Sequence, residues 1–223
     1  MAMLNYDIDP AVLAPFVPAG TELDLFEGRA VVSLVGFMFL RTRVLGISIP
    51  FHRNFEEVNL RFYVRRKVDG DRRRAVVFIK ELVPRRSIAA TANALYGENY
   101  IAVPMGHLNE AGRVSYRWRY KTAEYSIVVK HHGEPREPDS GSEAEFITEH
   151  YWGYTRGCGG RTKEYQVAHP RWRVWPADEA KFSGAVDALY GTQFSDALSR
   201  PPRTAFLAEG SGVMVFKGVP LNL

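Results

Sequence analysis

The chain reads as a mainly β protein with a few helices (α+β), and three observations carry that reading. Within residues 55–64, Val58, Leu60, Phe62 and Val64 alternate with Glu57, Asn59, Arg61 and Tyr63. This is the period of two of a half-buried strand. Val114, Tyr116, Trp118 and Tyr120 alternate in the same way with Ser115, Arg117, Arg119 and Lys121. Thr122-Ala123 then leads into Tyr125, Ile127 and Val129, which predicts a hairpin. Val68-Asp69-Gly70-Asp71 supplies the third signal, because Asp-Gly suits a tight turn that needs positive φ.

The remaining elements follow in order. Ala30 to Leu40 is rich in Val, Leu and Phe and predicts a strand, and Arg74 to Leu82 predicts another through Val76, Phe78 and Lys80. Arg86 to Tyr96 is Ala-rich and predicts a helix, with Gly97 as its stop. Gly133 to Gly141, with two prolines, is a loop between the two halves. Ser142-Glu143-Ala144-Glu145 opens a helix like a capping box, with Ser142 as cap and Glu145 at its third position. Late strands are expected at Lys163 to His169, Arg171 to Trp175 and Gly212 to Lys217. So many strands favour a barrel or a strongly coiled sheet, which removes exposed edges. Residues 1–223 are expected to form one domain, a length at which β barrels remain undivided.

Composition narrows the functional classes. No apolar run reaches the roughly 18–20 residues of a membrane helix, and Met1 to Asp9 lacks the pattern of a signal peptide. The single cysteine, Cys158, cannot form an internal disulfide, which fits a reducing cytoplasm. The net charge of +4 owes much to Arg65-Arg66-Lys67 and Arg72-Arg73-Arg74 around the predicted turn. Without interleaved aromatics or a nucleic-acid motif, these read as solvated strand ends, and no nucleic-acid or membrane partner is expected. Homo-oligomerisation stays open.

The polar side of 55–64 carries the functional argument. An acid, an amide, a guanidinium and a phenol in a row suit the wall of a polar cavity, although an exposed face explains Glu and Arg equally well. Glu149-His150-Tyr151-Trp152-Gly153-Tyr154 and His169-Pro170-Arg171-Trp172 are dense in aromatics with polar tips, which either line a small-molecule pocket or fill a wide barrel. The six histidines lack zinc-ligand spacing. The glycines around Cys158 neither follow a strand nor open a helix, so no phosphate cradle is expected there, and Cys158 has no local partner histidine. Neither a metal nor a cofactor is expected.

Pro18-Ala19-Gly20-Thr21-Glu22-Leu23-Asp24, Ala30 to Val35, Phe55 to Arg61, Thr148 to Tyr154 and His169 to Trp172 together resemble the YqjF-like family of uncharacterised bacterial proteins. That family resembles the acetoacetate decarboxylase-like superfamily. The resemblance implies a closed, cone-shaped antiparallel β-barrel with a few peripheral helices around an internal pocket. Decarboxylases of this kind use a lysine whose lowered pKa lets it form a Schiff base with a keto acid. Here Ala94 to Ile101 corresponds to their lysine segment, and Tyr100 and Ile101 stand where the lysines would be. Neither forms an imine, and Lys80 is the one substitute to consider. Glu57 matches a pocket glutamate.

The reading that follows is a cytoplasmic protein whose pocket binds a small organic ligand bearing a carbonyl or carboxylate. Glu57 would act as acid or base. Arg61 or Arg171 would hold an anion. Tyr63, Tyr100, His150 and Trp172 would shape the pocket. Three classes stay open: a lyase or hydrolase without the Schiff-base lysine, a non-catalytic binding or sensor module with the same pocket, and a surface-binding protein that uses the basic hairpin.

Overall fold

A computed structural model describes residues 1–42, 53–96, 99–156 and 160–221. Cys158, His52 and Gly97 lie outside the described residues. The strands are β1 (Ala2–Ile8), β2 (Glu22–Leu23), β3 (Ala30–Phe39), β4 (Phe55–Val68), β5 (Asp71–Val83), β6 (Tyr100–Ala102), β7 (Met105–Glu110), β8 (Arg113–Tyr120) and β9 (Ala123–Lys130). They continue as β10 (Trp152–Arg156), β11 (Thr162–Ala168), β12 (Val174–Pro176), β13 (Glu179–Ser183), β14 (Thr204–Ala208), β15 (Met214–Val215) and β16 (Val219–Pro220). Helices α1 (Pro10–Leu13), α2 (Arg86–Tyr96), α3 (Glu143–Thr148), α4 (Val186–Tyr190) and α5 (Ser195–Leu198) are interspersed.

The strands form two sheets. The larger runs β12-β14-β1-β3-β4-β5-β10-β11-β15, with β2, β6 and β16 attached to β4, β5 and β11, and the smaller runs β13-β9-β8-β7. This pairing path is open at both ends. The closed barrel implied by the resemblance is therefore not formed among the described residues. Closure is replaced by face-to-face packing, in which Leu34, Val58, Leu60, Phe62 and Val77 of the large sheet share one core with Tyr116, Trp118, Tyr125 and Ile127 of the small one. Gly36 makes the closest approach possible, since a Cβ there would lie 2.6 Å from the Tyr116 ring.

Local chemistry explains the best-formed elements. The β4–β5 turn places Asp69 at φ 51° and Gly70 at φ 91°, the pair of positive values a tight hairpin demands. Ser142 caps α3 by accepting from Glu145 N, while the Glu145 carboxylate accepts from Gly141 N at 2.8 Å. Two expected strands are shorter than the pattern suggested. Only Val174–Pro176 and Met214–Val215 pair, because Arg171–Arg173 and the glycine-flanked 212–217 have few strand partners. The basic hairpin is also not a bare solvated tip. Arg65 pairs with Glu22 at 2.7 Å, Arg74 with Asp24 at 2.7 Å, and both Arg66 and Arg73 with Glu164.

Candidate functional site

β4 is buried on both faces, not one. Val58, Leu60, Phe62 and Val64 enter the core between the sheets, while α3 and the chain at 169–174 cover much of the other face. Glu57 is 2 % exposed, Asn59 1 % and Tyr63 1 %. Register extends this polar line across the sheet. Arg61 stands opposite Ser33 on β3, Ser33 opposite Asn5 on β1, and Asn5 opposite Thr204 on β14. On the other side Asn59 stands opposite Glu81 of β5, which is itself opposite Tyr100 of β6.

A bulge decides which β5 residues join. Leu60 pairs with Lys80 but Arg61 with Phe78, so Ile79 is an extra residue. Without it, side-chain alternation would set Lys80 opposite Asn59 on the polar face. With it, Glu81 takes that place and Lys80 turns to the opposite side, where its ammonium donates to Leu189 O at 2.5 Å. Desolvation lowers the Lys80 pKa, with help from Lys121, yet the amine does not face Glu57. The lysine considered as a substitute is thus not brought to the site.

Glu57 is the most perturbed acid of this face. Its Oε1 accepts from Asn59 Nδ2 at 2.9 Å and its Oε2 from the Tyr100 hydroxyl at 3.1 Å. Burial pushes its pKa up to about 7, against the opposing pull of those two donors and of the Arg61 charge. Tyr100 is held by α2, through Tyr100 N to Asn93 Oδ1 at 2.8 Å and Asn93 Nδ2 to Tyr100 O at 3.1 Å. Arg61 forms no ion pair among the described residues, and its buried Nε has no hydrogen-bond partner there; nor does Asn59 Oδ1. Hydrogen-bonding capacity left open in a buried polar region suits a bound polar molecule.

Tyr63 and His150 occupy the far end. Ser33 Oγ donates its proton to Asn5 Oδ1 at 2.7 Å, so the 2.7 Å contact with Tyr63 makes the phenol the donor. Asn5 Nδ2 continues the chain to Thr204 Oγ1 at 3.1 Å, and Thr204 to Glu143 at 2.6 Å. The Tyr63 proton is thus committed within the protein. The Tyr63 ring lies 4.6 Å from the His150 ring and 5.9 Å from the Arg61 guanidinium carbon. His150 Nε2 sits 3.4 Å from Asp24 Oδ2. Burial dominates and lowers the His150 pKa to about 4, so the imidazole is neutral near pH 7. For Asp24 burial acts upward, but the nearby His150 and the hydrogen bond and charge of Arg74 outweigh it, and its pKa falls.

Arg171 and Trp172 are placed elsewhere. Arg171 is half exposed and pairs with Glu145 at 2.6 Å and Glu149 at 3.7 Å. It is not the cation that acts on Glu57; the charge that does is Arg61. Trp172 stacks on His169 at 3.9 Å and donates to Ser211 Oγ at 2.8 Å, with Tyr151 on His169 at 4.8 Å. The two aromatic-rich segments therefore do meet, as a stack. Asn5, Ser33 and Asp24 were missed in the sequence. A lone Ser inside Ala30-Val31-Val32-Ser33-Leu34-Val35, and Asn5 behind Met3-Leu4, were the available signals. Glu81 gave none, since the bulge hides its face. Among the described residues no three His, Cys, Asp or Glu side chains cluster as a metal site.

These features define an acetoacetate decarboxylase-like fold, and solved structures share it. Acetoacetate decarboxylase from Legionella pneumophila subsp. pneumophila str. Philadelphia 1 superposes with a TM-score of 0.67 at 12 % identity, covering 99 % of this chain and 84 % of that one. An acetoacetate decarboxylase-like enzyme from Sphingomonas wittichii RW1 gives 0.67 at 13 % identity, with 99 % and 89 % covered. The enduracididine biosynthesis enzyme MppR complexed with pyruvate gives 0.65 at 14 %, with 99 % and 87 % covered. Such identities establish the fold alone. Residues 1–212 match the DUF2071 family, described as an uncharacterized conserved protein, and the chain belongs to that family. It is 38 % identical over 84 residues to uncharacterized protein YqjF of Bacillus subtilis (strain 168), a match spanning 33 % of this chain and 34 % of that one. No helix of the described residues is long and apolar enough to cross a membrane.

Proposed function

We propose that the polar face of β4 binds a small organic ligand bearing a carbonyl or carboxylate, and that Glu57 acts on it as a proton donor or acceptor. What carries this is a fully buried carboxyl, Glu57, whose pKa burial raises to about 7, on the same strand face as Asn59 Oδ1 and Arg61 Nε, which have no hydrogen-bond partner among the described residues. Arg61 would bind the ligand's carboxylate through its N–H donors. Tyr100 would orient the Glu57 carboxyl. Tyr63 and Trp172, whose donors are used within the protein, would act as fixed walls, His150 would present a neutral imidazole whose nitrogens have no hydrogen-bond partner among the described residues, and Arg171 would serve the rim. The pyruvate complex of MppR is consistent with an oxo acid as the ligand class.

Imine chemistry is not part of this proposal, because Lys80 faces away and Tyr100 and Ile101 occupy the positions that resemble the lysine segment. Residues 1–223 would act as one barrel-like unit in the cytoplasm, as a lyase or hydrolase without a Schiff base. Ligand-observed NMR with acetoacetate and pyruvate tests the reading. Binding to the wild type that is lost in Arg61→Gln is expected; binding of neither acid, or binding unchanged in the variant, would overturn it. Borohydride added with acetoacetate should leave the protein mass unchanged, and an adduct on any lysine would contradict it. Should the acids bind without turnover, the same pocket serves a sensor.

A further inference from the structure

The far end of the large sheet closes on a segment unlike the rest of the described surface. β15 is the last strand in the pairing order and, among the described residues, pairs with β11 alone. Among the described residues the exposed large apolar side chains are Leu25, Leu40, Leu108, Val213, Met214, Val215, Phe216 and Val219, and five of these eight fall in 213–219. Met214 is 60 % exposed and Phe216 43 %. Alternation puts Val213 and Val215 on one side of the strand and Met214 and Phe216 on the other, so neither side is polar. Edge strands are ordinarily protected by charge, a bulge or a covering segment. Here Lys217 is the single charge between Val213 and Val219.

The backbone of this edge is also open. Phe216 N donates to Gln166 O at 2.9 Å, and Val215 lies opposite Val167. In an antiparallel ladder such bonding alternates, so the N–H and C=O of Val215 point away from β11.

We infer that β15 is the contact of a twofold dimer, in which the edge strands of two copies pair antiparallel about Val215. A second copy fits better than an unrelated strand for a geometric reason. A twofold interface must be self-complementary, and an antiparallel pair of identical strands is so by construction. Val213 then meets Lys217 of the second copy, Val215 meets Val215, and Met214 and Phe216 bury one another. Covering the five side chains would remove at most about 450 Å² per copy, about half of a standard partner's 800 Å², the size of a weak, reversible contact and not of an obligate one.

Sedimentation velocity of the full chain, across a dilution series from submillimolar to submicromolar, reads this directly. The wild type should pass from dimer to monomer with dilution. Val215→Pro removes the outward N–H and leaves the β11-facing groups in place; it should be monomeric throughout. Phe216→Lys should weaken dimerisation at least tenfold, and it guards against a proline that disturbs the β11 pairing. Circular dichroism checks that both variants keep the fold. A monomeric wild type at every concentration would overturn the inference. So would a dimer indifferent to both substitutions, or a ladder of higher oligomers, since a twofold contact closes at two.

Discussion

The two faces of β4 bury comparable numbers of side chains and are held by different physics. On the face toward β8 and β9, Val58, Leu60, Phe62 and Val64 are all fully buried among aliphatic and aromatic neighbours. Their contribution is transfer from water plus close packing, and no partner needs a particular direction. On the opposite face Glu57, Asn59 and Tyr63 are held by directional bonds to Tyr100, Ser33 and one another, and the Arg61 guanidinium lies over the Tyr63 ring. That face costs desolvation, and some of its hydrogen-bonding capacity stays open. A strand that needed stability alone would repeat its first face on its second. The proposed site lies on the polar side, and substitutions there should change pH dependence and binding.

The largest effect is expected on the apolar side. Phe62→Ala should destabilise the protein by about 3–5 kcal/mol, because Phe62 is completely buried and its removal leaves a cavity in the shared core. Urea unfolding measures it. A loss below about 1 kcal/mol would show that the two sheets do not pack against each other through this face.

Next comes Glu57, where the sign depends on pH. Its folded pKa is about 7 against a reference of 4.5, so the native state holds the proton more tightly than the unfolded chain. Stability is therefore greatest below pH 4.5 as far as this group is concerned, and is lost as pH rises through 7. Glu57→Gln has no proton to lose and should be more stable than the wild type at pH 8 by on the order of 3 kcal/mol, with the gain shrinking toward pH 5. Its amide can be accommodated, because a flip of Asn59 offers the now unpartnered Oδ1 as acceptor. Melting temperatures at pH 5 and pH 8 would decide the matter. A variant less stable at pH 8 would mean that Glu57 is charged and well solvated.

How much of this was legible in the sequence follows from which signals are local. The period-two pattern of 55–64, the Asp-Gly turn and the capping box at Ser142 depend on neighbours in the chain, and the structure has them. The capping box is local enough that even its return bond, from Gly141 N to Glu145, lies within four residues. Burial of the polar face of β4 was not legible, since it is imposed by α3 and residues 169–174 from far along the chain. The β5 bulge was equally hidden. A single extra residue at Ile79 reverses which of Lys80 and Glu81 meets Glu57, and no composition rule reports it. Arg171 misled for a related reason: it is next to the aromatic segment in sequence, but Glu145 and Glu149 draw its side chain to the surface.

The smallest effect separates members of the basic hairpin that look identical in sequence. Arg74 is partly buried and bonds Asp24, itself 5 % exposed, which in turn lies beside His150. Arg74→Gln leaves a buried carboxylate with weaker compensation, and a loss of about 1–3 kcal/mol is expected. Arg72 is two residues earlier, exposed, and without an ion pair among the described residues. Arg72→Gln should change stability by less than about 0.5 kcal/mol, as exposed sites do, and should leave acetoacetate and pyruvate binding unaltered. The comparison is sharpest as a pair of unfolding curves recorded with and without added salt. The Arg74 difference should persist in salt because Asp24 is shielded from solvent, whereas any small Arg72 effect should vanish within the Debye screening of the buffer. Equal effects from the two substitutions would mean that the Asp24–Arg74 pair is solvated, and that His150 is not held in its neutral form by the surroundings described above.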